Sequence, residues 1–305
     1  MRACCSQPAL NMDASVDKPP FAWQPLTPRG VAAFARASFG RLLLVQILVA
    51  LLAAGAILWF VHQAWFPVID QAIQQLPPKG EISSGRLNWP EGSQKALAEN
   101  HFLALTVDLQ HQGKARSPAH VQVEFGQTDC EVFSLFGFAL GAYPKEGIMA
   151  FNQPELAPWW GAWAPAILAI IAGLVISGLF VSWTLLATLY SGPVWLVAFF
   201  ADRDLTLNQS RRLAGAALMP GALFFTGAIV LYGLAVLDLV QLTAAAVVHL
   251  VITWGYLFAS PLLLPRRPDV APANANPFSE PAPQSPVAST DAQNASPPPI
   301  AEPPR

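Results

Sequence analysis

The sequence predicts a membrane α-helical bundle of four transmembrane helices, with a small β-rich extracytoplasmic domain inserted between helices 1 and 2. Two observations predict this fold class. Hydrophobic residues make up 53% of the 305 residues and charged residues only 12%, whereas a soluble domain carries about 25% charged residues. The charges also avoid three long apolar windows, which is typical of segments that lie in a lipid bilayer.

The chain before the first apolar window predicts little regular structure. We predict that residues 1–26 form a disordered leader. Either Met1 or Met12 could be the first residue of the protein. We expect no signal peptide, because the apolar run begins too late and is too long. A short interfacial helix is predicted over 27–41, since Thr27 suits an N-cap and Pro28 the first helical position. Gly40 would allow a bend before the first span.

The first two apolar windows predict transmembrane helices 1 and 2. Helix 1 is predicted over 42–62, because a charge-free run of this length crosses the ~30 Å hydrocarbon core. The next window, 157–201, is charge-free but too long for one span, and it contains Gly192-Pro193. It predicts helix 2 over 163–190, followed by an interfacial or re-entrant helix over 193–201. Two short spans are the alternative.

The third apolar window predicts a helical hairpin. Its only charged residue is Asp238, which lies at the midpoint. Because a carboxylate costs least at the water interface, we expect helix 3 over 213–236 and helix 4 over 239–263. The remaining chain, 266–305, is rich in Pro, Ala and Ser. It predicts a disordered Pro-rich cytoplasmic tail.

Basic and aromatic residues predict the orientation. With four spans, three arginine clusters fall on one side, and short basic loops stay in the cytoplasm. We therefore predict a multi-pass protein of the cytoplasmic (inner) membrane, with both termini in the cytoplasm. The lipid bilayer is its predicted binding partner. The expected membrane anchors are Arg29, Arg36, Arg41, Arg211, Arg212, Arg266 and Arg267 on the inner side, and the tryptophans Trp59, Trp65, Trp159, Trp160 and Trp163 at the outer interface. A ligand-binding aromatic cluster is the alternative for the tryptophans.

The segment between helices 1 and 2, residues 63–157, has the composition of a folded soluble domain. Apolar alternation predicts strands over 103–110, 120–125, 131–136 and 147–151. A short helix is predicted over 68–76, where Pro77-Pro78 ends it. These elements make up the predicted extracytoplasmic β-rich domain.

No catalytic, cofactor-binding or metal-binding motif is found in the sequence. Cys130 is expected to be an isolated buried thiol, and Cys4 and Cys5 lie in the leader. His101, His111 and His120 could converge on neighbouring strands, but ordinary surface histidines are the favoured interpretation. Asp129 and Glu131 share one strand face, where solvated charge is expected. A net charge of −2 gives no indication of a nucleic-acid partner.

His249 is the candidate polar site within the membrane. It follows Asp238 by eleven residues, or about 16 Å along a helix, which places it near mid-bilayer. Ionisable groups at that depth are usually functional or paired. We favour a neutral imidazole bonded to Gln46, Thr253 or a backbone carbonyl over a proton relay. Small residues at four-residue spacing, Ala169-Gly173-Ser177 and Ala217-Gly221, predict close helix packing.

Two stretches of the sequence carry a family resemblance. They are residues 80–87, Gly-Glu-Ile-Ser-Ser-Gly-Arg-Leu, and residues 210–220, which end in Met-Pro. The first is similar to the strand that opens the outer domain, and the second to the entry into the third span, of an uncharacterised bacterial multispanning membrane family, maltodextrin-utilisation-associated and Yip-like. The resemblance implies the same layout of one span, an outer domain and three further spans, and it implies no catalytic residue.

Three functional hypotheses follow, and the third, a membrane enzyme, lacks the carboxylate, histidine or metal cluster in the sequence that catalysis would require. The first is a non-enzymatic membrane protein whose envelope-facing domain binds a partner or ligand, such as an envelope or membrane protein. The alternative is a transporter, or an accessory subunit of one, that uses the hairpin of helices 3 and 4.

Overall fold

The computed structural model describes residues 24–90, 96–111 and 116–267. Most of the predicted leader, with Cys4, Cys5 and Met12, lies outside the described residues, as does nearly all of the predicted tail. The predictions of disorder there stay predictions.

Six α-helices and eight β-strands form the described chain. The helices are α1 (Pro28–Phe34), α2 (Phe39–Phe60), α3 (Phe66–Gln74), α4 (Gln153–Phe200), α5 (Leu207–Gly233) and α6 (Leu239–Leu262). The strands are β1 (Glu81–Ser83), β2 (Arg86–Asn88), β3 (Ala96–Glu99), β4 (Leu103–Val107), β5 (Val121–Phe125), β6 (Asp129–Ser134), β7 (Gly137–Ala142) and β8 (Ile148–Ala150). We call the region of the strands the β-rich insert.

Among the described residues, four helices are long and apolar enough to cross a membrane, which confirms the predicted number. They are Phe39–Gln74, Gln153–Phe200, Leu207–Gly233 and Leu239–Leu262. The β-rich insert lies between the first and the second of them, as predicted.

The first candidate span does not end at residue 62 as predicted. A π-helical turn, Val61–Trp65, joins α2 to α3, so that one helix runs from Phe39 to Gln74. The wider turn accommodates Pro67, which lacks an N–H and stands in the first turn of α3. The short helix that we predicted over 68–76 therefore extends the first span into the β-rich insert.

The predicted break within the second apolar window is absent. α4 runs without interruption through Pro193, and the predicted helix over 193–201 is its last part. Val194 and Ala198, at most 1% exposed, are packed in the bundle core. This burial outweighs the loss of one helical hydrogen bond at Pro193.

The helix predicted over 27–41 is shorter and packs differently. Thr27 caps α1 by accepting a hydrogen bond from the Gly30 amide at 3.1 Å, as predicted. The chain bends before Phe39 and not at Gly40, which lies inside α2. Val31 and Phe34 are fully buried, and α1 packs against α5 and α6. Its apolar face is therefore covered by protein, unlike that of a helix lying on a lipid surface.

The β-rich insert holds two sheets. The larger has the strand order β3-β4-β5-β6-β7, and the smaller has the order β2-β1-β8. β4 and β5 are parallel, and the other neighbours are antiparallel. Ser84 and Gly85 both have positive φ in the turn between β1 and β2, the geometry of a tight hairpin. A core that includes Val68, Leu103 and Phe151 joins α3 to both sheets.

Candidate functional site

The free edge of the five-stranded sheet is apolar and exposed. β7 is the terminal strand, and all six of its residues are exposed. Phe138 is 70% exposed and Leu140 58%, and Phe136 in the preceding turn is 77% exposed. The strand holds no charge and no proline, and its six pairs with β6 are in unbroken register. Proteins usually protect an edge with charge, proline or a bulge, and β7 has none of these.

A second feature is the cleft between the β-rich insert and the start of α6. Its volume is about 520 Å³, and it is lined by His120, Leu135, Asp238 and Leu239 among others. Asp238 caps α6 by accepting a hydrogen bond from the Gln241 amide at 2.7 Å. Asp238 therefore lies in the turn between α5 and α6, as predicted, and it faces the insert.

Polar and aromatic contacts join the insert to the bundle beside this cleft. His120 Nδ1 lies 2.7 Å from the Tyr232 hydroxyl oxygen on α5. The rings of His101 and His120 are 4.3 Å apart, and the ring of Phe102 lies 5.1 Å from that of Tyr232. Asn100 donates a hydrogen bond to the Ala64 carbonyl at 2.6 Å. We call this group the junction.

Burial lowers the pKa of His120, and the charge of His101 lowers it further, against an opposing contribution from Asp238. His120 is therefore biased toward its neutral form, which can accept the Tyr232 hydroxyl proton in a hydrogen bond. Convergence of His101, His111 and His120 was one of the sequence-based interpretations. Of these three, His101 and His120 are in contact, and they lie at the junction.

The third histidine, His111, bridges carboxylates on β5 and β6. Its Nδ1 lies 2.8 Å from Glu124 Oε1 and 3.5 Å from Glu131 Oε2, and its Nε2 lies 2.7 Å from Asp129 Oδ1. Glu124 and Glu131 are direct cross-strand partners. Asp129 and Glu131 share one face as predicted, but that face is turned to His111, so the expectation of freely solvated charge is wrong.

Hydrogen bonding and charge favour the protonated form of this histidine. Partial burial lowers the pKa of His111, but its bonds to Glu124 and Asp129 and the charge of Glu131 outweigh that effect and raise it. Imidazolium between carboxylates offsets the cost of burying Glu124, whose side chain is 3% exposed. Gln122 adds a bond to the other Glu124 oxygen at 3.3 Å.

The same residues have the donor atoms of a metal site. Ligand atoms of His111, Glu124 and Glu131 all lie within 4.8 Å of one another. One imidazole and two carboxylates suit a cation such as Zn²⁺ or Mn²⁺. A histidine that binds a metal through one ring nitrogen usually donates a hydrogen bond from the other to a carboxylate, and Asp129 is in that position at Nε2. Because both ring nitrogens already contact carboxylates, the arrangement is equally complete as a protonated ion bridge.

Cys130, between the two β6 carboxylates, is a half-buried free thiol. Burial raises its pKa, and the neighbouring charges of Asp129 and Glu131 raise it further. A raised pKa keeps the thiol protonated, which makes it a poor nucleophile.

The predicted intramembrane polar residues His249, Thr253 and Gln46 pack within the bundle. His249 Nδ1 lies 2.5 Å from the Ala246 carbonyl oxygen of its own helix, and its ring stacks on Phe225 at 5.3 Å. Thr253, 3% exposed, packs with His249 against Gly221, where a Cβ atom would come within 2.2 Å of the Thr253 hydroxyl. Gln46 is buried beside Gly215 on α5. These contacts support the structural interpretation of His249, and transport stays a prediction.

Of the two predicted stripes of small residues, only the one on α5 packs closely against another described helix. Ala217 is fully buried, and Gly221 is the close contact between α5 and α6. Gly173 has no atom within 4 Å of the position of a Cβ, and it lies on an exposed face of α4 together with Ala169 and Ser177.

The predicted arginine anchors belong to segments that meet at one end of the bundle. Arg212 donates a hydrogen bond to the Ala37 carbonyl at 2.7 Å, which joins the start of α5 to that of α2. Arg203 donates to the Leu264 carbonyl at 2.5 Å and pairs through its backbone with Arg266. Arg29 and Arg36 are exposed on or beside α1. The junction lies at the other end of α5.

The five predicted tryptophan anchors are divided between surface and interior. Trp159 and Trp163 stack on each other and are about half exposed, at 51% and 50%. Trp160 instead donates a hydrogen bond to Asp70 on α3 at 2.5 Å. Trp65 packs against the insert core, and Trp59 packs against Gly233 of α5. Three of the five therefore also hold elements of the chain together.

Sequence reasoning missed β7 and the partner of His120. β7 reads Gly-Phe-Ala-Leu-Gly-Ala, where two glycines and two alanines hide the strand signal. Tyr232 lies 112 residues from His120, and no local pattern connects them. The available signal was Leu135-Phe136 followed by Gly137, a tight-turn position after a predicted strand.

No family model matches the chain, and comparison with curated proteins and with solved structures finds no significant match. The resemblance described above therefore stays a prediction.

Proposed function

We propose that the chain is a multi-pass, non-enzymatic membrane protein that recruits a partner protein through strand addition to β7. In this proposal the four long helices cross the inner membrane, both termini are cytoplasmic, and the β-rich insert faces the envelope. The clustering of arginines at the bundle end opposite the junction supports this orientation, because basic segments stay in the cytoplasm.

The exposed β7 edge carries the proposal. An edge strand presents a row of backbone N–H and C=O groups that another strand can pair with. Phe138 and Leu140 project from the same face of β7, because side chains alternate along a strand. They would contact apolar side chains of the added strand, since both are more than half exposed.

A partner strand explains β7 better than insertion into lipid does. An open sheet edge does not occur in hydrocarbon, because its backbone groups would lose their hydrogen bonds. The turn at Leu135 lies beside Leu239, where α6 begins, so the hairpin tip comes close to the proposed membrane surface. The edge itself would then stand above that surface, in reach of an extended segment of another envelope protein.

The polar groups of the insert support a binding role over catalysis. The His111 imidazole is engaged at both nitrogens by carboxylates, and the Cys130 thiol has a raised pKa. The imidazole best suited to proton transfer is therefore held by carboxylates, and the thiol best suited to nucleophilic attack stays protonated.

Reporter fusions test the orientation. A reporter at Gln110 and one in the tail after Arg267 are expected to lie on opposite sides of the membrane, with the tail in the cytoplasm. If both report the same compartment, the proposed topology is wrong.

Site-specific photocrosslinking tests the partner. A photoreactive residue at Ala139 in the full chain, activated in native membranes, is expected to give a discrete protein adduct. The Phe138→Lys/Leu140→Lys variant should abolish it, because lysines block strand pairing at an edge. The matched control, Ile148→Lys/Met149→Lys, changes two exposed apolar residues of the smaller sheet and should retain the adduct.

The outcomes separate the possible neighbours of β7. An adduct with twice the mass of the chain would identify the partner as a second copy. Adducts with lipid alone, or a protein adduct equally strong in both lysine variants, would contradict strand addition at β7.

A further inference from the structure

A groove at the arginine-bearing end of the bundle has apolar walls and a cationic mouth. It lies between α2, α4 and α5 and has a volume of about 360 Å³. Trp183 in its wall is 5% exposed, whereas Leu43 is 37% exposed. The groove therefore runs from the packed interior of the bundle to its outer surface.

Close packing of α2 and α5 forms the inner limit of the groove. A Cβ atom on Gly215 would lie 3.3 Å from Leu42 and 3.4 Å from Gln46, so the two helices already approach closely there. On α4, Ala187 would lie 3.7 Å from the same Cβ atom, and Phe180 and Trp183 form the α4 side of the groove. Below the mouth the space is bounded mainly by aromatic and aliphatic side chains, with Gln46 and Thr184 as polar members of the wall. The apolar part suits a hydrocarbon chain.

Arg211 and Arg212 lie at the mouth, in the second turn of α5. In the part of the chain that the structure describes, neither forms an ion pair with a carboxylate. Arg212 uses one donor on the Ala37 carbonyl, and a guanidinium has five N–H donors. The mouth therefore carries two positive charges that no described carboxylate neutralises.

A ligand that matches both features is amphiphilic and anionic. A free anion would gain nothing from the apolar walls, and a neutral lipid would leave the guanidinium groups unmatched. Basic pockets between transmembrane helices on the cytoplasmic side bind anionic head groups. We propose that this groove binds one anionic phospholipid, with its phosphate on Arg211 and Arg212 and an acyl chain along Leu43, Phe180 and Trp183.

This inference rests on the proposed membrane topology but not on strand addition at β7. Lipid bound there would contact α2, α4 and α5 at the cytoplasmic face, beside the buried α4 residues Trp183 and Ala187. The site is thus independent of the sheet edge at the other end of the molecule.

Native mass spectrometry of the full chain, released from detergent, tests the site. The probes are phosphatidylglycerol and phosphatidylcholine with identical acyl chains. We expect one phosphatidylglycerol to be retained about thirtyfold more than phosphatidylcholine, since the two arginines together contribute about 2 kcal/mol near a lipid surface and every 1.4 kcal/mol is tenfold. Arg211→Gln should remove most of this preference without disturbing the fold, because Arg211 is exposed.

Two further variants separate the head-group and acyl-chain contacts. Arg29→Gln/Arg36→Gln removes two exposed charges outside the groove and should keep the preference. Leu43→Trp fills the groove and should reduce retention of both lipids while both arginines remain. The melting temperature of each variant shows whether it has folded.

Three results would overturn the lipid assignment. They are an unchanged preference in Arg211→Gln, an equal loss in Arg29→Gln/Arg36→Gln, and displacement of the lipid by inorganic phosphate alone. The reporter fusions separate this failure from failure of the topology, because they report sidedness whether or not lipid is bound.

Discussion

The two ends of the five-stranded sheet differ in their cover, although both are apolar. On the β3–β4 side, four of the five residues of β4 are buried, and α3 packs against both strands. On the β7 side, all six residues are exposed. The same sheet therefore has one edge region covered by α3 and one edge strand, β7, that is exposed.

The difference shows which side of the sheet is held in place by contacts within the chain. The covered side is also tied to the bundle, because Asn100 before β4 bonds to Ala64, and His120 before β5 meets Tyr232. No comparable cover reaches β7 from the described residues. An apolar edge that the chain itself leaves bare is what a binding surface requires.

The largest expected effect comes from truncating matched leucines on the two sides. Leu103→Ala removes a side chain that is 4% exposed and should destabilise the insert by about 2–5 kcal/mol. Leu140→Ala, at a site 58% exposed, should cost less than about 0.5 kcal/mol. Hydrogen exchange of the β4 and β5 amides in the full chain measures both. Equal losses of protection would show that the β7 side is covered after all.

A smaller effect is expected from His111, which lies between the two sides and bridges β5 and β6. His111 has φ +49°, a conformation that asparagine tolerates. His111→Asn removes the cation between Glu124 and Glu131 and should cost about 1–2 kcal/mol at acidic pH.

The pH dependence follows from the sign of the shift. Because the folded state raises the pKa of His111, its stabilisation is fully present below the unfolded value of about 6.5 and is lost as pH rises through the folded pKa. Exchange protection of β5 and β6 in the unchanged chain should fall over that range, and His111→Asn should remove this component. A pH-independent difference between the two proteins would contradict the protonated bridge.

The same contrast explains how much could be read from the sequence. β4, β5 and β6 were predicted within a few residues, and β4 and β5 supply side chains to the core of the insert. Among the described residues β7 meets no core, so burial imposed no pattern on it. The four candidate spans were predicted because hydrocarbon excludes charge along a whole window.

Long-range contacts could not be predicted in this way. The continuity of α4 through Pro193 depends on Val194 and Ala198 packing against other helices, and the local sequence indicated a break. Likewise, His111 and Glu124 belong to different segments, and only the parallel pairing of β4 with β5 brings them together.

The smallest expected effect concerns the attachment of the covered side to the bundle. Tyr232→Phe removes the hydroxyl that contacts His120 Nδ1 and keeps the ring stacked near His120 and Phe102. Loss of one neutral hydrogen bond should cost about 1 kcal/mol. Since the contact lies at the entry to β5, hydrogen exchange should quicken at His120 and Val121 and stay unchanged in β7.

Tyr256→Phe is the matched control, because its hydroxyl bonds to the Leu26 carbonyl at the other end of the bundle. It should leave exchange in the insert as it is. If Tyr232→Phe also left the amides of His120 and Val121 unchanged, the aromatic packing of Phe102 with Phe60 and Tyr232 would be sufficient to hold the covered side. In that case the junction would depend on apolar contact, and acidification, which protonates His120, would not loosen it.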